Sequence, residues 1–583
     1  MADAAVRQGG IDVVSERAGA KLPLWRTLFQ DSRFVWVATI YGVGVSLLTL
    51  ALPISVQVLI GAVANTAVIR SLLILSAVLL ILLLISGLMV AMQTYVLEVF
   101  QRRFYGRMTR EIALRTIYAD TSEFERMNRE QLINYYFEID IIQKSLPSLL
   151  SQGVALLLQT LVGYIVVSFY HPVFLFFSVA HAMMVYLIWR SADRGAVKSV
   201  IGLSKAKHEM ANWLESIARN HRLFKSQQGI GYAVDRTDRY AADYIEKHKK
   251  HFSYTFSQHL GFLGLYALGS AIVLGVAGWL VIRGQLSLGQ LVAAELILGA
   301  IFIGLSRFSY YLELYYGICA SVDKLSRYFD LTLETPRGDR RIDDWEPHVV
   351  FDHTSTAFRG RNYRIDAEFP PGSRTLIAPE SSGLIMVFRD LIAGLRQTTS
   401  GRVMLGGHDV QDFDAHQFRN HVAVVSDSQI FDCTIAEYLQ IGDPSMTRAQ
   451  MRELTKVVGL KPVIDELPDG LDTLLNDAGL PLSTSEIIRL KIALALAFRP
   501  RVLVFTQSCD VLRPGRRRAI LEYVGNMPNT TFINLSNRRD VEEFDRYMLL
   551  GNGTTQVVDT LDEMVAHERR QTLAQRSLEV AES

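Results

Sequence analysis

Cysteine is scarce in this sequence. Cys319, Cys433 and Cys509 are the three in 583 residues, and they stand too far apart for a metal knuckle or a disulfide frame, so no metal site is expected. An excess of either charge is also missing. Lys and Arg number 60 against 59 Asp and Glu, a net charge of +1, and no nucleic-acid partner is implied. The segment from Met1 to about Lys21 is small and polar and lacks the apolar core of a secretory signal. What the chain does have is hydrophobic residues, 49% of the total and unevenly placed, in a length that implies more than one domain.

Six apolar spans account for the unevenness: Phe34–Gly61, Ser71–Leu97, Leu146–Tyr170, Val173–Trp189, Gly261–Ile282 and Leu286–Ser306. Each is near or above the ~17–25 residues that cross a bilayer. Only the sixth holds a charged residue, Glu295. A carboxylate at that depth is costly and faces a cavity or a partner, so Glu295 is the candidate membrane residue, with His181 or Gln159 a conceivable neighbour. Spans three and four are separated by His171-Pro172, and five and six by a few residues around Arg283-Gly284-Gln285, which makes tight hairpins.

The loops after spans two and four are long and basic, holding Arg102, Arg103, Arg107, Arg110 and the Lys247-His248-Lys249-Lys250 cluster among others. The opposite loops hold little beyond Arg70 and Arg283. The positive-inside rule therefore places both termini and both long loops in the cytoplasm. Their helical periodicity predicts membrane helices that continue beyond the lipid. Two stretches set an aromatic between charges and suit docking on a soluble partner domain: Ser122–Asn128 with Gln131–Asn134, and Asn212–Arg219 around Trp213. Ahead of the first span, Leu22–Phe29 reads as a short helix lying on the membrane surface.

Composition changes near Glu334. The expected divisions are 1–30, cytoplasmic N-terminus and surface helix; 31–330, six-helix membrane domain; 331–345, charged linker; 346–565, α/β domain; and 566–583, a charged tail. In the fourth, strands are expected at Val349–Phe351, Ser373–Ile377, Val422–Val425, Val502–Phe505 and Thr531–Leu535, with a Gly406-Gly407 hairpin turn.

Leu376–Leu395 has the frame of a phosphate-binding P-loop: a buried strand end, a small-residue loop, then an apolar helix. In G-x-x-x-x-G-K-[ST] the glycines let backbone N–H groups close on phosphate, the lysine reaches the β/γ-phosphates and the hydroxyl holds Mg²⁺. Laid on that pattern, the outer glycines fall on Pro379 and Leu384, the lysine on Ile385 and the hydroxyl on Met386, with Ser382 inside the loop. The frame is present and its chemistry is not.

The chain resembles a half-size ABC exporter over nearly its whole length. "SGRVMLGGHDV", "FDCTIAEYLQIG" and "LPLSTSEIIRLKIALALAFRPRVLVF" are similar to the family's hairpin, post-Q-loop and signature-to-Walker-B segments, in order. The membrane half is most similar to exporters of type I secretion and peptide export. The resemblance implies a membrane α-helical domain joined to an α/β P-loop-type nucleotide-binding-like domain with a helical subdomain. It also implies degenerate ATP-site positions. The Q-loop glutamine falls on Ser426, the Walker B pair on Thr506 and Gln507, the switch histidine on Asn537 and the D-loop aspartate on Arg513; Phe358 stands near the adenine-stacking position. The signature reads Leu482-Ser483-Thr484-Ser485-Glu486, which keeps Ser483 for a contribution in trans to a partner's ATP. Because ATP hydrolysis rests on positioning and on neutralising charge at the γ-phosphoryl, no catalytic residue, no nucleotide and no ATPase activity are expected at the chain's own site. ATP and Mg²⁺ would enter through a partner's site.

The expected function is that of a catalytically degenerate exporter subunit. It would supply membrane helices to a pair with an ATPase-competent half-transporter in the bacterial inner membrane. The alternative is an ATP-independent homodimer acting as scaffold or regulator. Expected partners are membrane lipid and a second half-transporter, with a periplasmic adaptor and an outer-membrane channel if the system is secretion-like.

Overall fold

The computed structural model describes residues 32–65, 69–126, 134–334, 338, 345–427, 429–540 and 544–570. The surface helix expected at Leu22–Phe29, the docking residues Met127–Ile133, most of the linker and the end of the tail lie outside them. The chain divides into two compact units, Met1–Glu334 and Thr335–Ser583.

The first unit is all helix. Its main elements are α1 (Ser32–Leu48), α2 (Ala51–Asn65), α3 (Ile69–Tyr118), α4 (Glu138–Ser148), α5 (Val154–Ser168), α6 (Pro172–Arg219), α7 (Gln227–Ile282), α8 (Leu288–Ser306) and α9 (Phe308–Phe329). Among the described residues, six helical runs are long and apolar enough to cross a membrane. Each overlaps one of the six apolar spans. A bilayer core needs about 20 residues of helix, whereas α7 has 56, so the helices do run on past the lipid. The surface of α3 is one that water would not tolerate: Leu73, Leu80, Leu84 and Leu88 all lie outward.

Turn chemistry sets the hairpins. His171 caps α6, its ring nitrogen accepting the Val173 N–H at 3.3 Å, with Pro172 at the first helical position. Ser287 and Gln290 form a capping box that starts α8. Gly163 on α5 carries no side chain where Ile301 of α8 presses in, the close approach that small residues give membrane helices.

The second unit contains two main sheets. The strands are β1 (Val349–Phe358), β2 (Arg361–Phe369), β3 (Arg374–Pro379), β4 (Ser400–Leu405), β5 (His408–Asp409), β6 (Val422–Val425), β7 (Cys433–Thr434), β8 (Leu474–Leu475), β9 (Val502–Phe505), β10 (Thr531–Leu535), β11 (Arg546–Leu550) and β12 (Thr555–Val558). One sheet is antiparallel in the order β2-β1-β4-β5; the other runs β12-β11-β3-β10-β9-β6 and is parallel except for β12. The central strands β9 and β10 are wholly buried, as strands covered on both faces must be. The β4–β5 turn uses Gly406 and Gly407 at φ +56° and +80°, the left-handed geometry that favours glycine. Three of the unit's helices carry or adjoin the motif positions: α10 (Ser382–Ile392), α11 (Thr484–Ala497) and α12 (Pro514–Gly525).

Arg374, at the start of β3, meets Asp545 just ahead of β11. Its backbone N–H, Nε and Nη2 all donate to the Asp545 carboxylate, at 2.7–3.2 Å. These donors hold the Asp545 carboxyl below its ordinary value, the Arg374 side chain foremost. A carboxyl depressed in the folded state stabilises above its unfolded value of about 3.9 and loses that stabilisation as pH falls through the folded one. The pair is partly solvated, so Asp545→Asn is expected to cost about 0.5–1 kcal/mol at neutral pH. The check is thermal unfolding of both proteins at about pH 7 and about pH 3, where the difference should shrink.

Candidate strand-end site and signature helix

The loop positions singled out in the sequence gather at one edge. Pro379 ends β3, Ser426 follows β6, Thr506 follows β9, and Ser536-Asn537 follows β10. β3, β10, β9 and β6 are consecutive parallel neighbours, so these residues line the carboxyl ends of adjacent strands, the crevice where open α/β sheets bind ligands.

The loop between β3 and α10 consists of Glu380 and Ser381 alone. Ser381 caps the helix with its own side chain, Oγ accepting from Leu384 N–H at 3.4 Å, so α10 begins at Ser382, well short of an eight-residue cradle. A Cβ at residue 383 would overlap the Tyr363 hydroxyl; Gly383 admits that tyrosine against the first turn. Glu380 accepts the Asn552 N–H at 3.0 Å. Leu384 and Ile385 belong to the buried core with Phe351, Phe388 and Val504, and Met386 packs against it. Arg389, the one cation on α10, pairs with its neighbour Asp390 at 2.8 Å. These residues do not fit a triphosphate. The loop is too short to wrap it, the helix start is already capped, and the lysine position points into the core.

Thr506 is buried. Its N–H and Oγ1 both donate to the Val425 carbonyl at 3.0 Å, which turns the Walker B aspartate position inward. Gln507 opens the short 3₁₀ turn Gln507–Val511. Asp427, next to Ser426, accepts from Lys491 of α11 at 2.7 Å. Burial pushes that carboxyl up, and Lys491 outweighs burial and holds it below its ordinary value.

Around Asn537 lies a charge network that the motifs did not announce. Ser536 Oγ donates to Asp510 at 2.6 Å, and Asn537 N–H to the other Asp510 oxygen at 3.0 Å. Arg517 of α12 donates to Ser536 Oγ at 2.8 Å and to the Asp540 carboxylate. Arg538 donates to the carbonyls of Asp510 and Leu512 and pairs with Asp540. The runs 513–518 and 537–540, dense in arginine, were the available sequence signal.

The signature segment is closed by its own acid. Ser483 precedes α11, and Glu486 folds back so that its carboxylate accepts the Ser483 N–H at 2.8 Å. Arg489 holds the other oxygen at 3.4 Å. A helix N-terminus is a natural anion site, and here a resident carboxylate occupies it.

In the first unit, Glu295 is half-buried and makes no hydrogen bond or ion pair among the described residues. His181 is not its partner: the His181 ring nitrogen Nδ1 takes the Tyr164 hydroxyl at 2.6 Å, between Phe177 and Phe302. The second docking stretch also reads differently in the structure. Trp213 is buried, donates to Thr237 at 2.9 Å and packs against Phe224, Tyr232 and Tyr240. The exposed tip of that hairpin is the next turn, at Leu223. Charges flanking Trp213 suggested an outward face, but the partners that bury it lie across the turn, out of reach of local periodicity.

The ABC transporter transmembrane region family matches residues 35–305. This stretch is therefore similar to ABC transporter transmembrane regions. The mycobactin import ATP-binding/permease protein IrtB of Mycolicibacterium thermoresistibile is 27% identical over 324 residues, 52% of this chain and 54% of the relative. The putative multidrug export ATP-binding/permease protein YgaD of Bacillus subtilis is 24% identical over 310 residues, 52% of this chain and 53% of the relative. The chain thus spans about half the length of these curated relatives. A solved bacterial Atm1-family ABC exporter with ATP bound has the same fold, with a TM-score of 0.79 at 17% identity over 94% of this chain and 98% of that one. The fold is the one that exporter has: a unit with six helical runs long and apolar enough to span a membrane, followed by an α/β unit.

Proposed function

We propose that the chain is the non-hydrolysing subunit of an ABC-type exporter, paired with a half-transporter that binds and hydrolyses ATP. The observation that carries this reading is the strand-end edge. The position that would carry the P-loop lysine is core, the position that would carry the metal-directed carboxylate is a threonine bonded to the neighbouring strand, and the acids and arginines present are paired with one another. Removing one transition-state donor commonly costs about 10²–10³ in rate, and here the lysine, the carboxylates and the histidine are all replaced. The chain therefore holds no nucleotide of its own, and ATP and Mg²⁺ sit in the partner's site. It lies in a bacterial inner membrane with both termini and the long helix extensions in the cytoplasm, since the basic residues cluster there.

Native co-purification tests the pairing. Full-length tagged protein, extracted in mild detergent from its own host, should bring down a one-to-one partner of similar size with intact G-K-[ST] and Asp-Glu motifs. A dimer of this chain alone would overturn the pairing and leave a homodimeric scaffold or regulator. The same sample would reveal a periplasmic adaptor or an outer-membrane channel if the system is secretory.

Glu486 already serves the start of α11, so Ser483 gives a partner's ATP no contribution in trans. Ser483→Ala is expected to leave the ATPase rate of the purified pair within about twofold of wild type. A fall approaching the 10²–10³ typical of a lost transition-state donor would assign Ser483 that role.

A further inference from the structure

Away from the strand-end site, the membrane unit buries three titratable side chains from three helices at one point. Glu138 begins α4, His208 lies on α6 and Lys324 on α9, and all three are at least nine-tenths buried. His208 Nε2 donates to one Glu138 oxygen at 2.8 Å, and Ser321 Oγ of α9 donates to the other at 2.5 Å. Tyr135, just ahead of α4, stacks edge-on against the His208 ring at 5.5 Å and presents its face to Lys324 Nζ at 5.7 Å. Lys324 has no hydrogen bond or ion pair among the described residues. His208 stands 19 residues past Trp189, the end of the fourth apolar span, or about 28 Å of helix. The cluster is therefore in the helix extensions, clear of the lipid.

We propose that Glu138, His208 and Lys324 form a proton-operated latch across the seam of α4, α6 and α9, in which one buried carboxylate serves two bases. When His208 is neutral, its Nε2–H donates to Glu138 while Nδ1 carries no proton, and the Glu138 charge is left to balance the Lys324 ammonium. When His208 takes a proton on Nδ1, the imidazolium claims Glu138. The seam then holds two cations and one anion, and a buried charge without a counter-charge is strongly unfavourable. Lys324 reaches water by movement of α9 away from α4.

Neighbouring charges leave this balance in place. On α9, Asp323 pairs with Arg327 at 3.3 Å. On α6, Lys205 pairs with Glu209 at 3.7 Å, and Lys207 adds positive charge near Glu138. On α4, Asp140 pairs with Lys144; on α3, Glu111 pairs with Arg115. On α7, packed along α6, Asp235 and Asp243 pair with Arg239 and Lys247; Asp238 and Glu246 are its other acids, and Arg236, His248, Lys249, Lys250 and His251 its other basic groups in this region.

Hydrogen–deuterium exchange of the full-length protein in detergent tests the latch, at about pH 6 and about pH 8 with intrinsic rates corrected. One unit of linked pKa corresponds to roughly tenfold in the opening equilibrium. Wild type should therefore exchange roughly tenfold faster in residues 318–330 at the lower pH. His208→Gln keeps the donor and cannot take the proton; it should show the slow rate at both. Lys324→Met removes the stranded cation and should also lose the acid response. Equal protection of wild type at both pH values would overturn the proposal, as would a pH response retained by both variants.

Discussion

Replacing Ile385 with lysine should cost the second unit about 3–5 kcal/mol and bring no nucleotide affinity. The two halves of this expectation have one cause. In a working P-loop the lysine stands at a helix start that faces phosphate. Here α10 starts at Ser382, so residue 385 is already inside its first turn and its side chain enters the core beside Phe351, Phe388 and Leu391. An ammonium at that position has no carboxylate to meet, since Asp390 is taken by Arg389 and Arg396. A buried charge left unpaired costs about 3–5 kcal/mol. For a unit of this size that lowers the unfolding temperature by about 6–20 °C. Ile385→Leu changes shape without charge and should cost under about 1.5 kcal/mol. Thermal unfolding of the full-length variants, with titration of a fluorescent ATP analogue, checks both halves. A lysine variant as stable as wild type that binds the analogue would mean that α10 can unwind into a cradle.

Much of the fold was open to reading in the sequence because the strongest physical constraints are local. A run such as Ser71–Leu97 without a charge has few solutions besides a membrane helix. Gly406-Gly407 between β4 and β5 names its own turn. The strand β2 was also legible, since Arg361–Phe369 alternates exposed and buried residues along its length, although it was not among the expected strands. The P-loop frame obscured the cap at Ser381. A serine just before the apolar run Leu384–Phe388 marks a helix start, and that mark contradicts an eight-residue loop. What could not be read was long-range partnership. Trp213 finds Tyr232 and Tyr240 on the next helix, His181 finds Tyr164 rather than Glu295, and Glu138 meets Ser321 across 183 positions. No periodicity reports such pairs. A motif position carries its family role only while its atoms are free for it, and several here are already committed to other atoms.

The second large effect lies in one of those commitments. Arg517→Ala should cost about 3–5 kcal/mol, because the guanidinium is almost fully buried and holds three groups at once: Asp540, Ser536 Oγ and, at 3.7 Å, the Asp510 carboxylate. Burial pulls the guanidinium below its ordinary value against the pull of Asp510 and Asp540, yet it stays charged at any pH the protein meets. Removing it leaves the largely buried Asp510 carboxylate with the Ser536 hydroxyl and the Asn537 N–H but no cation, while Asp540 keeps Arg538, and a buried charge without its counter-charge is of the costly kind. Arg517→Lys keeps the charge and loses the fork that reaches Ser536 and Asp540 together, so it should recover only part of the loss. Asp510→Asn in the Arg517→Ala background removes the stranded charge. The double variant should then be more stable than the sum of the single changes implies, by about 0.5–3 kcal/mol of coupling. Strict additivity would show that Arg517 acts by packing alone. Coupling would show that the turns after β9 and β10 are held by charges within the chain itself, at the strand-end edge where open α/β sheets bind ligands.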